Sequence, residues 1–276
     1  MNRKAFIAFG GLCVGCAYHF GVQPSNERQW EQDQLRLVHV TIDKELYHLD
    51  NVRDFHYKSE ADYEIRYTDR EVPLDQVQTV DLLLSTFGDH RALAHVYLSF
   101  GYTDLNQEAQ QLVLSVEIRK EVGEQYSPIA GLFRQYELSY VIGTERDVVL
   151  LRTNHRNEPT YLFPIDTPPE KVQALFESVM NHVARLETEP EFYNTLTNAC
   201  GTNIMRHVNA VRQAPVPWTY RFVLPGYADA LAYDLGLIDS EAGAAQLRAD
   251  HYINERALKH GDRAGFSQAI RNNKAP

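Results

Sequence analysis

Cys200 lies in the run Pro190-Glu-Phe-Tyr-Asn-Thr-Leu-Thr-Asn-Ala-Cys200-Gly-Thr-Asn-Ile-Met-Arg206 and is the only cysteine beyond residue 16. Thr197 and Asn198 before it are good helix N-caps, and Ile204, Met205 and Val208 after it form a helical apolar edge. The sulfur is therefore expected at a helix N-terminus, where unpaired N–H groups and the positive dipole end favour thiolate over thiol. A thiolate is the nucleophile of cysteine catalysis. The plainer reading is a small buried hydrophobe, which is what most free cysteines are.

A catalytic thiol needs a base, and the base needs an orienting group. Two strands supply candidates. Leu93-Ala-His-Val-Tyr-Leu-Ser-Phe100 alternates with period two, so Val96, Leu98 and Phe100 share one face while His95, Tyr97 and Ser99 share the other. Leu112-Val-Leu-Ser-Val-Glu-Ile-Arg119 alternates likewise, with Val113, Ser115, Glu117 and Arg119 on one face. Residues 101–111 read as a polar hairpin connection, and a pairing centred near Asn106 puts His95 opposite Glu117. A carboxylate beside an imidazole on that polar face is the arrangement of a general base and its orienter. The plainer reading of His95 is a structural strand histidine, since the chain has 11 histidines. His207 is a rival base, but it lies two helical turns from Cys200, about 10 Å along the axis, too far to take the thiol proton.

The elements around these residues read mostly as β in the first two-thirds. Val38-His-Val-Thr-Ile42 and residues 46–57 read as strands, with Asp50-Asn51 as turn chemistry. The apolar runs Val80-Asp-Leu-Leu-Leu84 and Val148-Val-Leu-Leu-Arg152 suit buried strands, as do residues 132–142 and Thr160-Tyr-Leu-Phe163. Thr167-Pro-Pro-Glu170 is a strong helix start, with Thr167 as N-cap, and that helix runs to about Leu186. Two more helices are expected over residues 227–237 and 241–259. The fold class is α+β, a mostly antiparallel sheet packed against helices with a helical C-terminal tail.

Composition narrows the function. The net charge is -10, from 27 basic and 37 acidic residues, which argues against nucleic acid as the main partner. Three cysteines provide neither a disulfide framework nor a zinc cluster, and nothing implies a metal or another cofactor. There is no phosphate-binding glycine loop, His-Glu-x-x-His motif or Gly-x-Ser-x-Gly elbow. The 16 tyrosines recur near the candidate site. Residues 1–22 read as a signal or membrane-anchor segment, with Arg3 and Lys4 before an apolar run. Cys13-Val-Gly-Cys16 offers a lipoprotein-type site at Cys16. Residues 23–213 are expected to form the α+β catalytic domain, and residues 214–276 a helical extension packed on it.

Several segments, in order, resemble the Lnb N-terminal periplasmic domain family. They include Asn51-Val-Arg-Asp-Phe-His-Tyr57, Ala94-His-Val-Tyr-Leu-Ser-Phe100, Ser115-Val-Glu-Ile-Arg-Lys120, Gly131-Leu-Phe-Arg-Gln-Tyr-Glu137 and Pro190-Glu-Phe-Tyr-Asn-Thr-Leu-Thr-Asn198. The resemblance implies a permuted papain-like cysteine fold, with Cys200 as nucleophile, His95 as base and Glu117 as orienter. It also implies a location on the periplasmic side of a Gram-negative cell envelope, anchored to the membrane or lipidated. Where the family commonly shows Asn-Cys-Thr-Thr-Asn-Ile, this chain has Ala199 before the cysteine and Gly201 after it.

The resulting expectation is a membrane-associated cysteine acyltransferase that works through a thioester on Cys200, similar to lipoprotein N-acylation. Its partners would be a lipid or lipoprotein substrate and the membrane surface. Gly201, Asn198, Tyr97 and Arg119 are candidates for oxyanion or substrate contacts. A cysteine peptidase or amidase acting on envelope peptides is the second expectation, and a non-catalytic envelope binding domain the third.

Overall fold

The computed structural model describes residues 21–88, 90–239, 243 and 246–272. The leader, Cys16 included, lies outside them except for Gly21 and Val22. The strands are β1 (His39–Asp43), β2 (Leu46–Arg53), β3 (His56–Tyr57), β4 (Tyr63–Glu64), β5 (Tyr67–Pro73), β6 (Val77–Thr86), β7 (Ala94–Thr103), β8 (Ala109–Arg119), β9 (Glu137–Gly143) and β10 (Thr160–Pro164). Eight of them form one mixed sheet in the order β1-β2-β9-β8-β7-β6-β10, with β5 also paired to β2. Only the β2–β9 contact in this sheet is parallel.

Both faces of the sheet are covered, so the central strands are buried on both sides. One face carries Val96, Leu98 and Phe100 of β7 and packs against α2 (Pro169–Leu186) and α3 (Cys200–Val211). The helix α2 buries Val172, Leu175, Phe176, Val179 and Val183, an apolar stripe at helical spacing. It begins at Pro169 with Pro168 as the cap residue, one place after Thr167. The other face carries Leu83, Tyr97 and Val113 and packs against α1 (Glu145–Leu150), α6 (Asn254–His260) and α7 (Phe266–Arg271). The His95, Tyr97 and Ser99 face is therefore interior rather than a polar surface.

Val148–Arg152 is helical, which corrects the expected strand. The residues belong to α1 and the single π-helical stretch that follows it, Leu151–His155. Thr144 starts α1 by accepting the Asp147 N–H, and a short apolar run buried on all sides carries no periodicity to separate helix from strand. Asn51 sits not in a turn but at an irregularity inside β2, with φ of 63°. The expected helix over 241–259 is broken. α5 (Leu247–His251) ends at Tyr252, which bridges to Tyr161 of β10, and α6 starts afresh.

The described residues between 214 and 272 are thus wrapped around the β10 edge of the sheet. α4 (Ala228–Asp234) lies on the α2–α3 face, and α6 and α7 lie on the opposite one. An ion cluster fastens the end. Arg271 on α7 binds Asp81 of β6 and Glu145 of α1, both buried, and Ser99 also donates to Glu145. Removing one partner of such a cluster leaves buried charge unpaired. Arg271→Met should lower unfolding stability by about 3 kcal/mol, read as a shifted urea midpoint. An unmoved midpoint would mean that this cluster does not anchor the tail.

Candidate active site

The β7–β8 ladder is centred on Asn106, pairing Thr103 with Ala109 and ending at Leu98 with Leu114. Beyond that point the two strands part. β7 stays paired to β6 as far as Ala94, and β8 stays paired to β9 as far as Arg119. The sheet forks, and the start of α3 sits against both prongs. Val96 N–H, no longer within the ladder, donates to Cys200 Sγ. The thiol thus comes from the α3 face and meets the imidazole of the other face in the fork.

His95 Nε2 is 2.6 Å from Ser115 Oγ and 3.2 Å from Glu117 Oε1. Ser115 Oγ donates to the same Glu117 oxygen at 2.7 Å, so it must accept from Nε2–H. That fixes the proton on Nε2 and leaves Nδ1 for the hydrogen bond with Cys200. Arg152 Nη2 donates to Glu117 Oε1 at 2.9 Å, and its Nη1 donates to Glu158 at 3.1 Å. The Arg152 guanidinium also lies over the Tyr97 ring, which stacks on His95.

These contacts set the charges. Burial pushes the imidazole down, and Arg152 adds to that, but the Glu117 charge and the hydrogen bonds with Cys200 and Glu117 together raise it to about 9. Burial pushes the thiol up, yet the His95 hydrogen bond and charge, with Val96 N–H, bring it below its ordinary value. Burial likewise pushes Glu117 up, while His95, Arg152 and Ser115 hold it well below the usual carboxylate range. The thiol and the imidazole are thus each shifted toward their charged forms, beside a carboxylate.

The helix start is built differently from the sequence expectation. Its cap residue is Ala199, which has no side-chain acceptor, and the Thr202 hydroxyl reaches back to accept Ala199 N–H at 2.8 Å. The N–H groups of Cys200 and Gly201, in the first turn, have no carbonyl partner within the helix. A Cβ at Gly201 would lie 2.3 Å from the Phe222 carbonyl oxygen, so the glycine lets the C-terminal segment pack onto the helix start.

Of the other expected contacts, Gly201 is beside the thiol and three residues have structural duties. Asn198 donates to Glu191 and Phe192 and accepts from Asn203 and Arg206, so neither of its N–H groups is free. Tyr97 is fully buried behind His95 and bonds Ser85. Arg119 turns to Asn26, Gln34 and Leu35 and lies over Trp30, holding the N-terminal segment. His207 bonds Tyr140 and Ser178 in a separate buried network. Ser115, Arg152, Tyr126 and Tyr193 are site residues that sequence reading missed. Ser115 shares the Glu117 face, a signal that could have found it. Arg152 was hidden by the wrong element. Tyr193 and Tyr126 hydrogen-bond each other near Cys200, and burial first, then the thiolate charge, raises both hydroxyls above their ordinary values.

The Lnb N-terminal periplasmic domain profile matches residues 63–226, which contain Cys200, His95, Glu117, Ser115 and Arg152. This chain belongs to the Lnb N-terminal periplasmic domain family. It is accordingly a periplasmic, envelope-related protein. A search of the curated proteins and a search of the solved structures each returned no match. Among the described residues, no helix of this Lnb-family chain is long and apolar enough to cross a membrane.

The ion pair predicts the pH profile. Alkylation of Cys200 by iodoacetamide should be half-maximal at a lower pH than for an ordinary thiol, about 8.5. Glu117→Gln removes the charge that raises the imidazole, so the thiolate loses its partner and the half-point should rise by about one unit or more. A wild-type half-point at that of a free thiol would show that the pair does not form. Gly201→Ala should cost about 1–3 kcal/mol in thermal unfolding, because the Phe222 backbone must move.

Proposed function

We propose that this chain is a membrane-associated periplasmic acyltransferase working through a thioester on Cys200. The observation that carries the reading is the line from Cys200 through His95 to Ser115, Glu117 and Arg152. Its order of roles is that of a nucleophile, a base and an orienter. A carboxylate that favours the imidazolium, and a thiol shifted toward its thiolate, suit attack on an ester carbonyl.

In the first half-reaction Cys200 Sγ attacks the carbonyl carbon of a lipid ester and a C–S bond forms. The oxyanion is met by the N–H groups of Cys200 and Gly201 at the positive end of α3. The C–O bond breaks, and the leaving alkoxide takes the proton from His95 Nδ1. In the second half an amine attacks the thioester. His95 Nδ1 takes the amine proton, the C–S bond breaks and the thiolate returns. Water in place of the amine gives hydrolysis by the same route. Glu117 lowers the cost of the imidazolium in both halves.

The surface around the thiol favours a lipid over a peptide. Tyr126, Ile129, Phe133 and Leu196 are exposed apolar side chains on two loops joined by Thr195, which bonds Gly131 and Pro128. Trp218 and Tyr220 are exposed on the segment that leads to Phe222. Such a rim around a site suits contact with a bilayer surface.

Incubation with phospholipid vesicles followed by intact-protein mass spectrometry tests the reading. A fatty-acyl adduct should appear on the wild type and be lost in Cys200→Ala and sharply reduced in His95→Ala. Turnover should fall by several orders of magnitude, on the order of 10⁴ or more, in Cys200→Ala. Full turnover by that variant would end the proposal. Since the imidazolium is the acid of the first half, the rate should also decline as pH rises through about 9.

A further inference from the structure

We infer that an apolar slot beside Cys200 holds the fatty-acyl chain of the substrate, and that residues 221–237 form its outer wall. The inference rests on the acyl-transfer reading and adds to it the chain's seat and a role for the C-terminal segment.

The slot encloses about 680 Å³ of space between atoms, part of it open to solvent. Its inner wall is the sheet face made by Val96 and Leu98 of β7 and Leu82 and Val80 of β6. Gly201, Ile204, Met205 and Val208 of α3 form a second wall, and Ala228, Leu231, Ala232 and Leu235 around α4 form the outer one. Arg221 is the single charged residue of the lining, and its guanidinium is paired with Asp234 at 2.5 Å. Nothing else there offers a side-chain hydrogen bond, so a peptide would bury its N–H and C=O groups unmatched, whereas a methylene chain loses nothing.

Gly201, next in the chain to Cys200, and Val96, next to His95, both line the slot. Leu98 pairs with Leu82, and Val80 lies two residues further along β6, opposite Phe100. From Val96 to the level of Val80 is about 13 Å at roughly 3.3 Å per strand residue. From Gly201 to Val208 is about 10 Å along α3. The two walls run side by side from the Val96 and Gly201 level, giving the slot a length along β7 and α3. Ala228 and Ala232, one helical turn apart, keep the outer wall thin. The missing side chain at Gly201 brings the Phe222 backbone down onto α3 and closes the slot on that side.

The test acylates the full chain with p-nitrophenyl acetate, octanoate and palmitate and follows the Cys200 adduct by intact mass. Iodoacetamide alkylation, run in parallel, reports whether the thiol is intact. The wild type should prefer a long-chain ester to acetate by about tenfold or more. In Ala232→Phe the long-chain to acetate ratio should fall about tenfold, and Ala228→Phe serves if the first variant does not fold. Wild type with no chain-length preference overturns the slot while leaving the thioester reading in place. So does an unaltered ratio in a folded variant of either alanine. If no ester acylates a thiol that iodoacetamide still modifies, the acyl-transfer reading fails and the slot assignment falls with it.

Discussion

The fork between β7 and β8 is the constraint on which the site depends. Inside a sheet, backbone groups find their partners in the neighbouring strand. Where β7 follows β6 and β8 follows β9, that partner is lost. The sequence fills the gap with a helix start, so that Val96 N–H bonds a sulfur. One break in a ladder thus does two things. It opens a passage through the sheet layer, and it lets a cysteine from one face meet a histidine from the other. An unbroken ladder would keep the two groups on opposite sides of the sheet.

A site that crosses a sheet requires both faces to be covered, and the rest of the fold supplies the cover. α2 and α3 pack on one side, and α1, α6 and α7 on the other, reached by wrapping the tail around β10. The covering also makes the electrostatics strong. Glu117 Oε1 receives His95, Ser115 and Arg152 together, and the buried Arg152 is held in turn by Glu158. In a buried setting such a carboxylate decides the charge of the imidazole, which decides the charge of the thiol. Behind α3, a second polar network ties Tyr140, His182, His207 and Asn203 together. Through Asn203, bonded to Asn198 and the Ala199 carbonyl, it holds the helix start. That network gives His207 a positional task rather than a chemical one.

The C-terminal segment has two parts with different physical roles. Its later part closes the α1 side and is fastened by Arg271. Its earlier part lies on the thiol side, with Phe222 against Gly201 and α4 facing α3 across an apolar space. An appendage that merely packed on the surface would touch neither the helix start nor the chemistry. A glycine at position 201 suits this contact, since a Cβ there would lie 2.3 Å from the Phe222 carbonyl oxygen.

The sequence alone marked out the candidate site of this Lnb-family chain: one cysteine at a helix start, and a histidine and a glutamate on alternating strands. The hairpin register followed from where its polar connection is centred, at Asn106, and the α+β class followed from alternation and helix-start signals. Tertiary structure decided what period and spacing do not encode. The run at Val148–Arg152 is buried on every side, so its pattern could not tell helix from strand, and Arg152 was lost with it. Tyr97, Asn198 and Arg119 lie near the key residues in the chain, but their polar atoms are claimed by partners far away in sequence. The fork itself is a matter of which outer neighbour each strand follows. Neither strand's own residues record that choice, and only the assembled sheet brings the thiol to the imidazole.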